Sequence, residues 1–167
     1  MPNPDFHQAL NEVAAALSQP GQPETVYRAI DHATATLIGH KLITMMTFDG
    51  EARTVGRVYS NQPAAYPVGG SKPYSASTLF DTLLVERRPV VLRDAADVKR
   101  AFVDHTLIAS LGCDSGIFLP VAYDGRTLGV MNLAHQAHWY DDKHVALAAP
   151  FAALLTTPFL LALRGQS

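Results

Sequence analysis

The stretch IFLPVAYDGRTLGVMNLAH at 117–135 constrains the fold more than any other part of the chain. Two apolar runs flank a single Asp124-Gly125 pair. A two-residue hairpin turn needs positive φ at its central positions, which Asp and Gly tolerate. The stretch is therefore an antiparallel hairpin, with strands over 115–123 and 126–134. Pro120 tests its register. Across a two-residue turn, positions 123 and 126 form a hydrogen-bonded pair, and position 120 falls at a non-hydrogen-bonded one. The missing N–H of Pro120 then points away from the partner strand, which requires an open outer edge at that point.

The remaining elements follow from periodicity. Phe6, Leu10, Val13, Ala14 and Leu17 recur at helical spacing and predict an amphipathic helix over 4–18, broken by QPGQP at 19–23. Val26, Ile30, Ala33 and Leu37 form a second stripe, with Gly39 as its C-terminal stop. KLITMMTF at 41–48 is a buried strand, DGEA turns the chain, and RTVGRVYS at 53–60 returns as another strand. The segment 61–77 is rich in Pro, Gly, Ser and Tyr, and loops of this length in compact domains are usually functional or mobile. A short helix over about 77–87 and a strand at 88–92 follow. Asp94 and Asp104 are expected to cap two more helices, and Asp141 or Asp142 begins the apolar last one. Two neighbouring hairpins make the sheet mainly antiparallel. With helices at both chain ends covering one face, the class is α+β.

The length of 167 residues suits one domain, expected here to span 1–167 with a helix and linker over 1–22 and a core over 24–160. A net charge of −2, with no Lys/Arg stripe, gives no electrostatic footprint for nucleic acid. The single cysteine, Cys113, excludes an internal disulfide and fits a reducing, cytoplasmic compartment. The N-terminus MPNPDFHQ lacks a signal-peptide profile. Residues 145–163 carry no charge, and their length alone matches a membrane span. Their alanine content and the interruptions at Pro150 and Pro158 favour a helix buried in a bundle instead, with no membrane partner. That much apolar surface suits burial against a second copy of the chain.

The segment SLGCDSGIFLPVAYDGRTLGVMNLAH at 110–135 resembles the GAF domain family, as do ERRPVVLRDAAD at 86–97 and YDDKHVALAAPFAALL at 140–155. The resemblance runs from about residue 24 to residue 160. It implies a GAF-like fold with an antiparallel sheet of five or six strands. The terminal helices lie on one face and commonly form a dimer bundle. The other face, with the middle segments and short helices, encloses a small-molecule pocket. Members of the family typically sense cyclic nucleotides, other metabolites, tetrapyrroles or redox state for an output domain. One domain fills this length, so the expected output is a separate signalling protein. The Asn-Lys-Phe-Asp-Glu set of cyclic-nucleotide members is not identifiable, and no cofactor is assigned.

Candidate ligand contacts fall in three places. In PYSAST at 73–78, Ser75 or Ser77 caps the following helix, whose free N–H groups suit an anionic or carbonyl-bearing ligand; an ordinary cap is the competing reading. Tyr59, Tyr66 and Tyr74 supply an aromatic wall with polar tips, or pack a loop. Arg93 pairs with a ligand carboxylate or phosphate, or with Asp97. His105 belongs to the same candidate set. Near the start of the hairpin, Cys113, Asp114 and Phe118 are placed to touch a ligand. A lone thiol there is a redox centre or a small buried apolar residue, and the neighbouring Asp114 disfavours a thiolate. One branch of the family reduces free methionine sulfoxide with a cysteine near this position, but it relies on further cysteines that this chain lacks. HQAHWYDDKH at 135–144 offers His135, His138, Asp141 and His144 to a metal, yet no closed ligand set follows, and a solvated loop is the better reading. VGG at 68–70 is too short for a phosphate-binding loop, and no catalytic constellation is recognised. The expectation is a non-enzymatic sensor of a small organic ligand. A Cys113-dependent redox enzyme and a ligand-free interaction module are the alternatives.

Overall fold

Asp124 and Gly125 take φ of 51° and 70°, so the hairpin turn has the left-handed geometry its residues allow. It joins β5, Ser115–Tyr123, to β6, Arg126–His135. The computed structural model describes residues 4–165. The pairing is not fully regular. The register shifts between Val121 and Ala122, leaving Leu128 as an extra residue and placing Pro120 opposite Val130. The neighbouring strand β4, Val90–Leu92, reaches no further than Phe118, so the outer edge is open at the proline.

The first hairpin is β1, Leu42–Asp49, and β2, Thr54–Ser60. Its turn is held by the Asp49 carboxylate, which accepts from the Glu51 and Ala52 amides at 3.0 and 2.9 Å. A two-residue strand within the long loop, β3, Lys72–Pro73, pairs with β2. The strand order is β3-β2-β1-β6-β5-β4 in one six-stranded sheet, and every pairing is antiparallel.

One sheet face carries Ile43, Met45, Ile117, Leu119, Met131 and Leu133, all buried in the main core. The helices α1, Pro4–Ala16, α2, Glu24–Leu37, α6, Asp142–Ala153, and α7, Thr156–Arg164, lie over it. Val13 of α1 is buried as its stripe predicts, whereas Ala14 is exposed. Tyr27, Phe151 and Phe159 are fully buried among these helices, and the two phenylalanines each contribute about 1.5–3 kcal/mol by removal of apolar surface from water. Gly39 follows α2 with φ 88° and donates to the Thr34 carbonyl at 2.9 Å. The predicted last helix is two helices, bent by 50°. Among the described residues no single helix is long and apolar enough to cross a membrane.

Gly129 brings the last helix onto the sheet. A Cβ there would lie 2.0 Å from the Met46 carbonyl and 2.7 Å from the Phe159 ring. The opposite sheet face is covered by the segment 61–77 and the short helices. These are α3, Thr78–Phe80, continued by a π-helical turn over Asp81–Val85, then α4, Ala95–Ala101, and α5, His105–Ser110.

Candidate ligand-binding cavity

Strand alternation puts Leu42, Thr44 and Met46 of β1 on the face away from the terminal helices, beside Asn132 and Ala134 of β6. These residues, with Arg57 of β2 and Phe118 of β5, floor a cavity of about 730 Å³. The segment 72–77 and the α4–α5 junction form its roof. Apolar body comes from Met46, Val55, Phe80, Phe102 and Phe118.

Arg57 is the half-buried cation of this cavity. Its guanidinium lies 4.8 Å from the centroid of the Tyr66 ring, and its Nη1 donates to the Pro67 carbonyl at 3.2 Å. Its Nε is buried and has no partner among the described residues. Burial pulls the Arg57 pKa down, and the nearby Tyr66 and Asp104 pull it back up. Across β1, Asn132 donates from Nδ2 to Thr44 Oγ1 at 3.1 Å, while its Oδ1 is buried and unpartnered among the described residues. An unsatisfied buried polar group costs about 1–3 kcal/mol.

Tyr66 closes one side. Its hydroxyl donates to Asp104 Oδ2 at 2.7 Å, and burial with this bond pushes its pKa up. Asp104 stands at the N-cap of α5 but makes no side-chain cap bond, because its carboxylate serves Tyr66. By contrast, Asp94 caps α4 as expected, accepting from the Asp97 amide at 2.9 Å. A smaller annex of about 170 Å³ adjoins the cavity and shares Met46, Val55, Arg57 and Lys72 with it. Gly69, Gly70 and Ser71 complete its wall.

Of the residues singled out by sequence, Tyr66, Tyr74, Ser75, Ser77, His105 and Phe118 line the cavity. Ser77, not Ser75, is the cap, accepting from the Phe80 amide at 3.2 Å. Tyr74 donates to Asp81 at 2.6 Å, with Arg53 over its ring at 5.1 Å. The other four stand apart. Tyr59 lies on the helix face and donates to Asp31 at 2.6 Å. The register of β1 and β2 shifts between Met45 and Met46, so Met45 faces Tyr59, Met46 faces Arg57, and Val58 is extra. Without that bulge, Tyr59 and Arg57 would share a face.

Arg93 is exposed, and the Asp97 carboxylate accepts from its backbone amide at 2.9 Å. Cys113 is fully buried in a cluster with Leu42, Tyr66, Val98, Ile108 and Ala134, behind the cavity wall. Burial pushes its thiol up to about 11, with Lys41 lowering it and Asp114 raising it. Asp114 contributes its backbone amide to the His135 carbonyl at 2.9 Å and does not line the cavity. In the histidine-rich segment, His135 stacks on Trp139 at 3.8 Å and His144 completes a capping box with Asp141. Among the described residues no three His, Cys, Asp or Glu side chains converge to hold a metal ion.

Sequence reading passed over Arg57, Asn132 and Thr44. A signal existed for two of them: a threonine and an asparagine interrupt otherwise apolar central strands. Arg57 carried none, because its orientation depends on the bulge.

Solved structures that share this architecture include GAF domains. The chain matches the GAF domain from an Acinetobacter phosphoenolpyruvate-protein phosphotransferase with TM-score 0.76 and 15% identity, covering 99% of each chain. It matches the GAF domain of a Bacillus halodurans two-component sensor histidine kinase with TM-score 0.70 and 13% identity, over 87% of this chain and 99% of that one. A free methionine-R-sulfoxide reductase from Neisseria meningitidis, in complex with its substrate, matches with TM-score 0.69 and 15% identity, over 96% and 91%. At these identities the likeness shows the fold alone. No curated protein sequence matches the chain. A family profile described as "GAF domain" matches residues 21–157, and with the fold in agreement the chain belongs to the GAF domain family.

Proposed function

We propose that this GAF domain is a regulatory module that takes a small organic ligand into the cavity between its sheet and its middle segment. The observation that carries the reading is the pairing of space with unmet polarity. A cavity of about 730 Å³ is within the range of small-molecule sites, and two residues lining it each hold a buried polar atom without a partner. A ligand whose entry turns those side chains slightly toward it recovers part of the cost of burying them.

Binding orders the roof segments and shifts a pre-existing equilibrium between two packings of the sheet and its helices. The same reading includes pairing with a second copy through the terminal helices, where Leu161 of α7 is 61% exposed. A signalling output partner then reads the helix layer, and the buried lone cysteine fits a reducing, cytoplasmic setting. A redox role for Cys113 gains no support from a buried, protonated thiol outside the cavity lining.

A metabolite screen by thermal shift tests the ligand. A ligand at a hundred times its Kd stabilises by about 2.7 kcal/mol. The expected result is a protecting compound whose effect is lost in Thr44→Trp, which fills the cavity floor, and in Ser75→Trp at its exposed rim. Equal protection of both folded variants would sink the cavity reading. Light scattering tests the pairing, with a dimer expected at micromolar concentration and a monomer for Leu161→Glu. A wild-type monomer would refute it.

A further inference from the structure

The cavity and its annex meet at two cations. Arg57 and Lys72 line both spaces, and the annex between them is walled by Gly69, Gly70 and Ser71, with Gly69 and Gly70 at φ 105° and 70°. These glycines place main chain rather than side chain against the annex. Among the described residues, the ion pairs involve neither Arg57 nor Lys72. Arg100, at the far rim, differs in that Asp97 already pairs with it. Asp104, the acidic residue lining the cavity, accepts from the Tyr66 hydroxyl and keeps its charge, but it makes no direct ion pair with Arg57. The protein as a whole carries a net charge of −2, whereas here Arg57 and Lys72 face the single carboxylate of Asp104, so the excess of positive charge is local.

Resting on the cavity reading above, we propose that the ligand is a compact organic anion. Its carboxylate or phosphate head enters the annex between Arg57 and Lys72, and its apolar body lies in the cavity over Met46 and Phe118. An arginine half-removed from water and lacking a carboxylate partner is suited to charge-assisted hydrogen bonds from a guest. The stack on Tyr66 holds the guanidinium plane, and its Nε, buried without a partner, reaches an acceptor only through a small turn of the side chain as the head group enters. The annex, at about 170 Å³, admits a head group and leaves the body to the larger space.

The methionine methyls report where a guest sits. Met46 lines the cavity, whereas Met45 and Met131 lie fully buried in the core on the other sheet face. Protein carrying ¹³C-methyl methionine is titrated with three probes sharing one aromatic body: phenylacetate, phenyl phosphate and phenylacetamide. The expected result is a Met46 shift with at least one anion binding about tenfold tighter than the amide. The preferred anion identifies the head group. Arg57→Gln and Lys72→Gln each reduce the preference severalfold, and Arg57→Lys retains most of it. If all three probes move Met46 with equal affinity, the anion proposal is overturned and the cavity reading stands. If the anions bind better but neither Gln variant changes this, the annex is not the head-group site and the proposal is likewise overturned. If no probe moves Met46, both fail.

Discussion

The Arg57 guanidinium lies 4.8 Å from the centroid of the Tyr66 ring, and this contact joins the sheet to the segment that roofs it. Tyr66 extends the connection by donating to Asp104 at 2.7 Å. One strand residue, one loop residue and the N-cap residue of α5 therefore share a polar chain along the cavity wall.

Removing the Tyr66 hydroxyl breaks that chain at its second link. Tyr66→Phe keeps the ring under Arg57 and leaves Asp104 unmatched, so about 1 kcal/mol of stability should be lost. Urea denaturation gives the size. Hydrogen exchange should locate faster opening at 62–66 and 104–110, and unchanged exchange there would show that the bond does not hold the roof.

Acid sensitivity should centre on Asp31. Burial acts to raise its carboxyl pKa, but hydrogen bonds from His40 and Tyr59 outweigh it and hold it below the ordinary value. A carboxyl depressed in the folded state stabilises fully above its unfolded pKa of about 3.9, and that contribution is lost as pH falls through the folded value. Stability measured from pH 6 down to pH 2 should therefore drop less steeply in Asp31→Asn than in the wild type. Parallel curves would remove Asp31 from the explanation.

Cys113 should behave as a core residue. With its thiol at about 11 and its side chain buried, iodoacetamide at pH 7.5 should modify the native protein at least a hundredfold more slowly than the urea-unfolded one. Cys113→Ala should retain ligand binding. Rapid native alkylation would return the thiol to the accessible surface.

Gly129 should accept no side chain. A Cβ there meets the Met46 carbonyl of β1 at 2.0 Å and the Phe159 ring of α7 at 2.7 Å, so Gly129→Ala must part β6 from β1 and α7 from the sheet. Overpacking of this kind costs about 1–3 kcal/mol or more. Chemical denaturation measures it, and a neutral result would mean that β1 and α7 do not approach β6 this closely.

The fold was legible where local chemistry decides structure. The Asp124-Gly125 turn, the largely apolar run in 41–48 and the Asp94 and Asp141 caps all point to their elements without tertiary information. The bulges are different. Nothing in RTVGRVYS reveals that Val58 is an extra residue, yet this shift separates Tyr59 from the cavity and leaves Arg57 within it. The candidate site was legible in its roof, where Tyr66, Tyr74 and the serines stand out in an unusual loop. Its floor was legible only at Phe118, because Arg57 and Asn132 gain their meaning from partners across the sheet. Of the two prolines read as interruptions, Pro150 lies within α6 and Pro158 in the first turn of α7, while the bend falls between them, because a charge-free run reads as one helix until packing bends it.

The most direct test of the account follows the methionine methyls while fractions of a bacterial metabolite extract are added to the labelled protein. The account predicts that an active fraction shifts Met46 first and furthest, with Met45 and Met131 little changed, and that the response vanishes in Ser75→Trp. Fractions that stabilise the protein while leaving Met46 unmoved would place the ligand elsewhere and contradict it.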